Sequence, residues 1–268
     1  EALAEVDDAV RALGRPSVRD DLTGDDDARA RDPARLQPAL FAVELALAAW
    51  WRSVGVVPAA VVGHSMGEVA AACAAGALSV DDGARVMCVR SALLSKLRGF
   101  GRMAVLGVDV DGARALIDDL APSVSVAVQN ARSTTVVSGE AEAVREVLRR
   151  ATARGAYASL VDVDAASHSA LVDPHLDAMR DALAGLRPRA SATAFFSTVD
   201  AAWRDGATLD ADYWCANLRR SVRFWESSTA LLDAGYRRLV EAGPHPVLVT
   251  PLLQTIRERD DAALAVGT

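Results

Sequence analysis

Ser65 sits at the centre of Gly63-His64-Ser65-Met66-Gly67. Before it, residues 59–63 have the composition of a short buried strand; after it, an Ala-rich run reads as a helix that Gly76 can end. A serine on a strand-to-helix bend is held in a strained conformation with its oxygen exposed, the setting of a nucleophile. Glycines two residues to either side remove side chains that would clash. The helix start behind it offers unpaired N–H groups, and Met66 N–H is the natural first donor to an oxyanion. The plainer alternative is a tight turn with a capping serine. A nucleophilic serine needs a base, and the chain has four histidines: His64, His168, His175 and His245. His64 adjoins the serine and should point away from it, which leaves three.

A second notable group lies on a helix. Ser79-Val80-Asp81-Asp82 has capping-box spacing, with Asp in place of Glu, and opens a helix to about residue 97. Val86, Arg90, Leu93 and Leu97 fall on one stripe of it, so Arg90 interrupts an apolar face. A buried guanidinium is costly unless paired, and a carboxylate is its natural bidentate partner. Against this stands a surface arginine in an arginine-rich chain, where Lys96 is the only lysine.

The elements that must position these groups follow from pattern. In 268 residues, 51% hydrophobic and 24% charged, there is ample length for a core. The net charge of −7 argues against a general nucleic-acid binder. The longest apolar run, 69–78, is about half what a bilayer needs, and the acidic first residues lack the pattern of a signal peptide. Cys73, Cys88 and Cys215 suit neither a disulfide framework nor a zinc site, so a reducing cytoplasm is the expected compartment. Residues 1–13 read as a helix, 20–33 as an acidic surface loop, and 38–51 as a buried helix with Pro38 in its first turn. Strand, helix, strand, strand, helix and strand then succeed one another over 103–164, the β-α-β-β-α-β order of a ferredoxin-like module. Further on, 191–197 and 237–241 read as strands, 213–225 is rich in Trp and Arg, and a helix follows Gly243-Pro244-His245-Pro246.

Together, Val62-Gly63-His64-Ser65-Met66-Gly67-Glu68, Arg90-Ser91, Ala166-Ser167-His168-Ser169 and Pro244-His245-Pro246-Val247-Leu248 resemble the acyltransferase domain of type I polyketide synthases, within the malonyl-CoA:acyl-carrier-protein transacylase family. The similarity runs over essentially the whole chain. It implies an α/β fold: an α/β-hydrolase-like large subdomain (1–102 and 165–268) with an inserted ferredoxin-like small subdomain (103–164). By the same resemblance Ser65 is the acylated nucleophile, His168 the base, Met66 N–H an oxyanion donor and Arg90 the group that grips the free carboxylate of a malonyl-type acyl unit. A backbone carbonyl orients the histidine in this family, and the matching position is Arg223. Gln37 also matches a family motif and is placed near the site. The family begins with a strand and a Gly-Gln-Gly turn that supplies a second oxyanion N–H. Nothing here matches it, and the sequence reads as an excised domain.

The implied reaction is acyl transfer from CoA, through an acyl-serine, to the phosphopantetheine thiol of an acyl carrier protein, beside other synthase domains and with no metal or redox cofactor. In the family the four residues ending at the base correlate with the acyl unit: His-Ala-Phe-His with malonyl, Tyr-Ala-Ser-His with methylmalonyl. Here they are Ala165-Ala166-Ser167-His168. The small Ala165 and Ser167 enlarge the pocket, and Met66 together with the string Ala166-Ser167-His168-Ser169 resembles the methyl-branching synthases of the mycocerosic-acid type. Methylmalonyl is favoured, with malonyl or a larger alkylmalonyl open. An acidic carrier would need a basic patch, for which Arg219, Arg220 and Arg223 form one cluster and Arg149-Arg150 another. Two rivals remain: a serine hydrolase or editing thioesterase, which would want an acid on the histidine and no inward Arg90, and a non-catalytic scaffold domain.

Overall fold

Serine and aspartate caps set where many of the helices begin. The computed structural model describes residues 1–25, 31–162, 166–259 and 262–268. After α1 (Ala2–Ala12), Ser17 caps α2 (Val18–Thr23) by accepting from Asp20 N, and donates its own proton to the buried Asp7. This corrects the expected loop at 20–33. A six-residue helix is too short to show an apolar stripe, but a cap suffices to start it. Residues 26–30 of that stretch lie outside the described residues. The next helix, α3 (Pro33–Ser53), also begins earlier than expected. Asp32 caps Ala34 N at 3.0 Å with Pro33 at the first position, leaving Pro38 inside the helix. Its Ala39, Phe41, Ala42 and Leu45 are buried, whereas Trp50 near its end is exposed.

Strand β1 (Ala60–Val62) feeds the Ser65 bend and α4 (Gly67–Ala74). Ser79 then caps α5 (Val80–Lys96), as its spacing predicts, accepting from Asp82 N at 3.0 Å. Val86, Arg90, Leu93 and Leu97 are all buried.

The chain next forms β2 (Gly101–Leu106), α6 (Val110–Ile117), β3 (Val124–Ala131), β4 (Thr134–Glu140), α7 (Ala141–Ala153) and β5 (Ala158–Leu160). The four strands make one antiparallel sheet in the order β3-β4-β2-β5, the ferredoxin-like arrangement. Its first strand starts at Gly101, where a Cβ would lie 2.4 Å from the Ala166 Cβ. Register shifts in β3 after Val126 break the simple alternation expected of its valines, so Ala127 and Val128 are both buried. One face of the sheet packs on α6 and α7 through Ala104, Leu106, Leu116, Val137, Val144 and Val147.

The return segment holds α8 (Leu176–Leu183), β6 (Ala194–Ser197), β7 (Ala202–Arg204), α9 (Ala211–Arg219), α10 (Phe224–Asp233), β8 (Arg238–Glu241), α11 (Val249–Glu258) and β9 (Leu264–Gly267). β6 pairs parallel to β1 and antiparallel to β7, while β8 and β9 form a separate parallel pair. The largest core lies among α1, α3, α4, α5, α8 and α9, around Phe41, Met87, Leu94, Phe195 and Trp214. A third cluster, including Val128, Val136, Val222, Phe224, Leu252 and Ile256, joins the other face of the small sheet to α10 and α11. Backbone bonds reinforce that join: Gln129 N donates to Val222 O, and Val222 N to Ala127 O, both at 2.9 Å. No helix is long and apolar enough to cross a membrane among the described residues.

Candidate active site

β1 ends three residues before Ser65, and Thr198, just past the end of its parallel neighbour β6, donates to Glu68 of the same bend, so the site lies beyond the carboxyl ends of the strands, where open α/β sheets place ligands. Ser65 has φ 54°. A left-handed backbone costs a non-glycine residue about 1–2 kcal/mol, and here it turns Oγ away from the chain. The elbow is closed by Gly67 N donating to His64 O and Glu68 N to Ser65 O, which leaves Met66 N–H outside these bonds. Gly63 is required, because a Cβ would lie 2.2 Å from Glu68 N. The symmetrical expectation for Gly67 is corrected: a Cβ there would meet nothing within 4 Å.

Of the three histidines left open as a base, the structure brings His168 to the serine. His168 Nε2 lies 2.7 Å from Ser65 Oγ, across 103 residues of sequence. It too has a left-handed backbone, φ 60°, held by its N–H donating to Leu218 O. His175 ends a 3-10 turn, and His245 is exposed in the loop before α11. His64 turns away as expected, 2.8 Å from Asn130 Oδ1 on β3 and edge-on to Phe224.

The carbonyl that orients His168 is not the expected one. His168 Nδ1 donates to Arg220 O at 2.8 Å. Arg223 O instead accepts from Ser227 N and Oγ as the first acceptor of α10, while its N–H donates to Thr198 O. The chain leaves α9 before Arg220 and enters α10 after Arg223, so only the earlier carbonyl is free to face the imidazole. Because a carbonyl can only accept, Nδ1 carries the proton and Nε2 is the lone-pair nitrogen facing Ser65. Burial, then the positive charge of Arg90, push the imidazole down to about 3, against the bond to Arg220 O. It therefore stands neutral, able to take the serine proton.

Arg90 is 2% exposed and reaches the same oxygen. Its Nη2 donates to Ser65 Oγ at 2.8 Å, Nη1 to Asn217 Oδ1 at 2.8 Å and Nε to Gln37 Oε1 at 3.2 Å. Gln37 is thus brought to the site as expected. Burial pushes the guanidinium down to about 10, opposed by Glu68, so it stays charged at neutral pH.

Behind these groups is a buried polar cluster that sequence reasoning assigned no role. Glu68, fully buried, accepts from Thr198 N (2.5 Å), Thr198 Oγ1 (2.7 Å), Tyr213 OH (2.7 Å) and Asn217 Nδ2 (2.8 Å). Burial raises its carboxyl above the usual range, against the pull of those bonds. The available signal was a glutamate heading the apolar run of α4. Nothing in the sequence pointed to Asn217, Asn130 or the carbonyl of Arg220.

Among the residues expected to set acyl selectivity, Ala165 lies outside the described residues. Ala166 is fully buried against Gly101, and Ser167, half-buried, has its Oγ 4.0 Å from Met103 Sδ on β2. The expected basic patches are largely neutralised: Arg149 pairs with Glu146, Arg150 with Glu146 and Asp119, Arg219 with Asp173, and Arg223 with Glu226.

A neutral imidazole and a charged guanidinium converging on one hydroxyl oxygen make an arrangement that can activate that oxygen as a nucleophile and hold an anion beside it. A family model described as an acyl transferase domain matches residues 1–267. The spectinabilin polyketide synthase system protein NorC of Streptomyces orinoci is 46% identical over 253 residues, 94% of this chain but 11% of that protein. The crystal structure of the acyltransferase domain from module 8 of the salinomycin polyketide synthase superposes with a TM-score of 0.96 at 38% identity, covering 100% of this chain and 63% of that one. A type II polyketide synthase acyl-carrier protein in complex with its malonyl-transacylase gives a TM-score of 0.90 at 25% identity, covering 100% and 86%.

Proposed function

The chain belongs to the acyl transferase domain family, and from that premise we propose that it carries a carboxylated acyl unit from CoA to the phosphopantetheine thiol of an acyl carrier protein. The observation that carries this reading is the shared contact: Ser65 Oγ lies 2.7 Å from His168 Nε2 and 2.8 Å from Arg90 Nη2.

Ser65 Oγ attacks the thioester carbonyl as its proton passes to His168 Nε2. The oxyanion meets Met66 N–H. The C–S bond breaks, His168 returns the proton to the departing thiolate, and Ser65 is left as an ester. The carrier's thiol then gives its proton to His168 and attacks that ester, and the sequence reverses. Arg90 holds the acyl carboxylate, and an acyl group without one leaves the buried charge unmatched.

Methylmalonyl is our preferred unit, because Ser167 lacks the bulk that would crowd an α-methyl group; malonyl and larger alkylmalonyl units are its competitors. The synthase setting, carrier docking and the cytoplasm belong to this proposal too. Support for the carrier comes from the likeness to a transacylase solved with one. A carbonyl rather than a carboxylate on His168, together with an inward Arg90, speaks against a hydrolase of the Ser-His-acid kind.

Intact-mass measurement after incubation with methylmalonyl-CoA, malonyl-CoA or acetyl-CoA tests the reading. A stable carboxyacyl adduct, absent in Ser65→Ala, is the expected result. CoA release without an adduct would mean hydrolysis, and no reaction a scaffold; either rejects the proposal.

A further inference from the structure

The guanidinium that faces the serine does not touch the buried acid behind it. Asn217 of α9 stands between them. Its Nδ2 donates to Glu68 Oε2 at 2.8 Å and to Ser65 O at 3.1 Å, and its Oδ1 accepts from Arg90 Nη1 at 2.8 Å. The orientation of this amide is forced: two of its neighbours are acceptors and the third can only donate. Glu68 is itself anchored by Thr198 and Tyr213, so the amide is fixed from behind by strand end, helix and elbow at once.

Arg90 has five N–H donors, of which three are engaged by Gln37, Asn217 and Ser65. One N–H on each terminal nitrogen is left over for a substrate carboxylate. We infer that Asn217 is a positioning residue for acyl selectivity: it holds the Arg90 fork towards the serine and keeps Glu68 from closing on it as a direct ion pair. Without the amide, Glu68 and Arg90 could meet, and the protein's own carboxylate would occupy the donors meant for the substrate's. This inference rests on the proposed carboxyacyl transfer.

The test compares full-length-chain wild type, Asn217→Ala and Asn217→Asp. Asn217→Ala removes the spacer, and Asn217→Asp puts a carboxylate against Arg90 in nearly the same shape. For each, self-acylation rates with methylmalonyl-CoA and acetyl-CoA give kcat/KM, and thermal unfolding reports folding. The expected result is a fall of about tenfold or more in the methylmalonyl-to-acetyl ratio, carried mainly by KM for the carboxylated substrate. A merely structural role would lower both substrates by the same factor, and that result overturns the inference. If turnover in the variants is too slow to follow, affinities of the unreactive ketone analogues of the two thioesters, measured by calorimetry in a Ser65→Ala background, give the same ratio. A wild-type preference that survives both substitutions overturns this inference alone. A wild type with no preference for the carboxylated thioester overturns it together with the proposed function.

Discussion

Ser65 and His168 meet at 2.7 Å, and both hold left-handed backbones, φ 54° and 60°. The two side chains proposed to react thus sit on the strained residues of their own segments, as happens where the surrounding structure over-determines a conformation. On the serine side the over-determination comes from Gly63 and Asn217; on the histidine side it comes from the carbonyls of Leu218 and Arg220.

The depressed imidazole predicts an unusual pH response. Folded, His168 is neutral down to about 3; unfolded, it takes a proton near 6.5. Its contribution to stability is therefore whole above pH 6.5 and is lost as pH falls from there towards 3, by up to about 1.4 kcal/mol per pH unit. Denaturant unfolding at pH 7 and pH 5 should show a larger loss for wild type than for His168→Asn. Self-acylation should likewise show no acid limb near 6.5, and a limb at that position would contradict the neutral, buried base.

Replacing Arg90 acts on selectivity and on this titration together. Arg90→Ala should lower kcat/KM for methylmalonyl-CoA by about 10–100-fold, the loss of a hydrogen-bonded charge partner, and shift preference towards acetyl-CoA. Arg90→Lys should fail to restore it, since an ammonium lacks the fork that Gln37, Asn217 and Ser65 share. With the positive neighbour gone, His168 should titrate higher than in wild type. Steady-state kinetics and a pH profile of each variant check both parts.

The two glycines of the elbow should respond in opposite ways. Gly63→Ala drives a Cβ to 2.2 Å from Glu68 N, a backbone clash that should cost more than about 3 kcal/mol or prevent folding. Gly67→Ala meets open space at the first position of α4 and should stabilise by about 0.5–1 kcal/mol. Thermal unfolding separates the two; equal destabilisation would contradict the geometry.

Because a carbonyl orients His168, the side chain of Arg220 should be dispensable to the proposed self-acylation. Arg220→Ala should leave the self-acylation rate within about threefold of wild type, the range of an ordinary surface change. A much larger loss would return the orienting role to a side chain.

What sequence could reveal followed distance along the chain. Ser65 is legible because strand, bend and helix are contiguous, and Arg90 because an ionised group breaks an apolar stripe on one helix. His168 is not separable from His175 and His245 by spacing alone, since its partner is 103 residues away; the family resemblance singled it out. The ferredoxin-like order is written in alternating patterns, though its start falls at Gly101 and β3 bulges where simple alternation was expected. The misassignment of Arg223 has a plain cause: a backbone carbonyl carries no sequence signature, and which of two nearby carbonyls is free depends on where α10 begins. Glu68 and Asn217 escaped because their partners come from an elbow, a strand end and two helices.

The pairing of β3 with Val222 has a mechanical consequence. Val222 lies two residues past the carbonyl that steadies the imidazole, and its own N–H and C=O are tied to the small sheet. The small sheet is therefore no free-swinging jaw: tilting it would tug His168 away from Ser65. Anything that shifts the small sheet therefore also shifts the backbone that holds the imidazole.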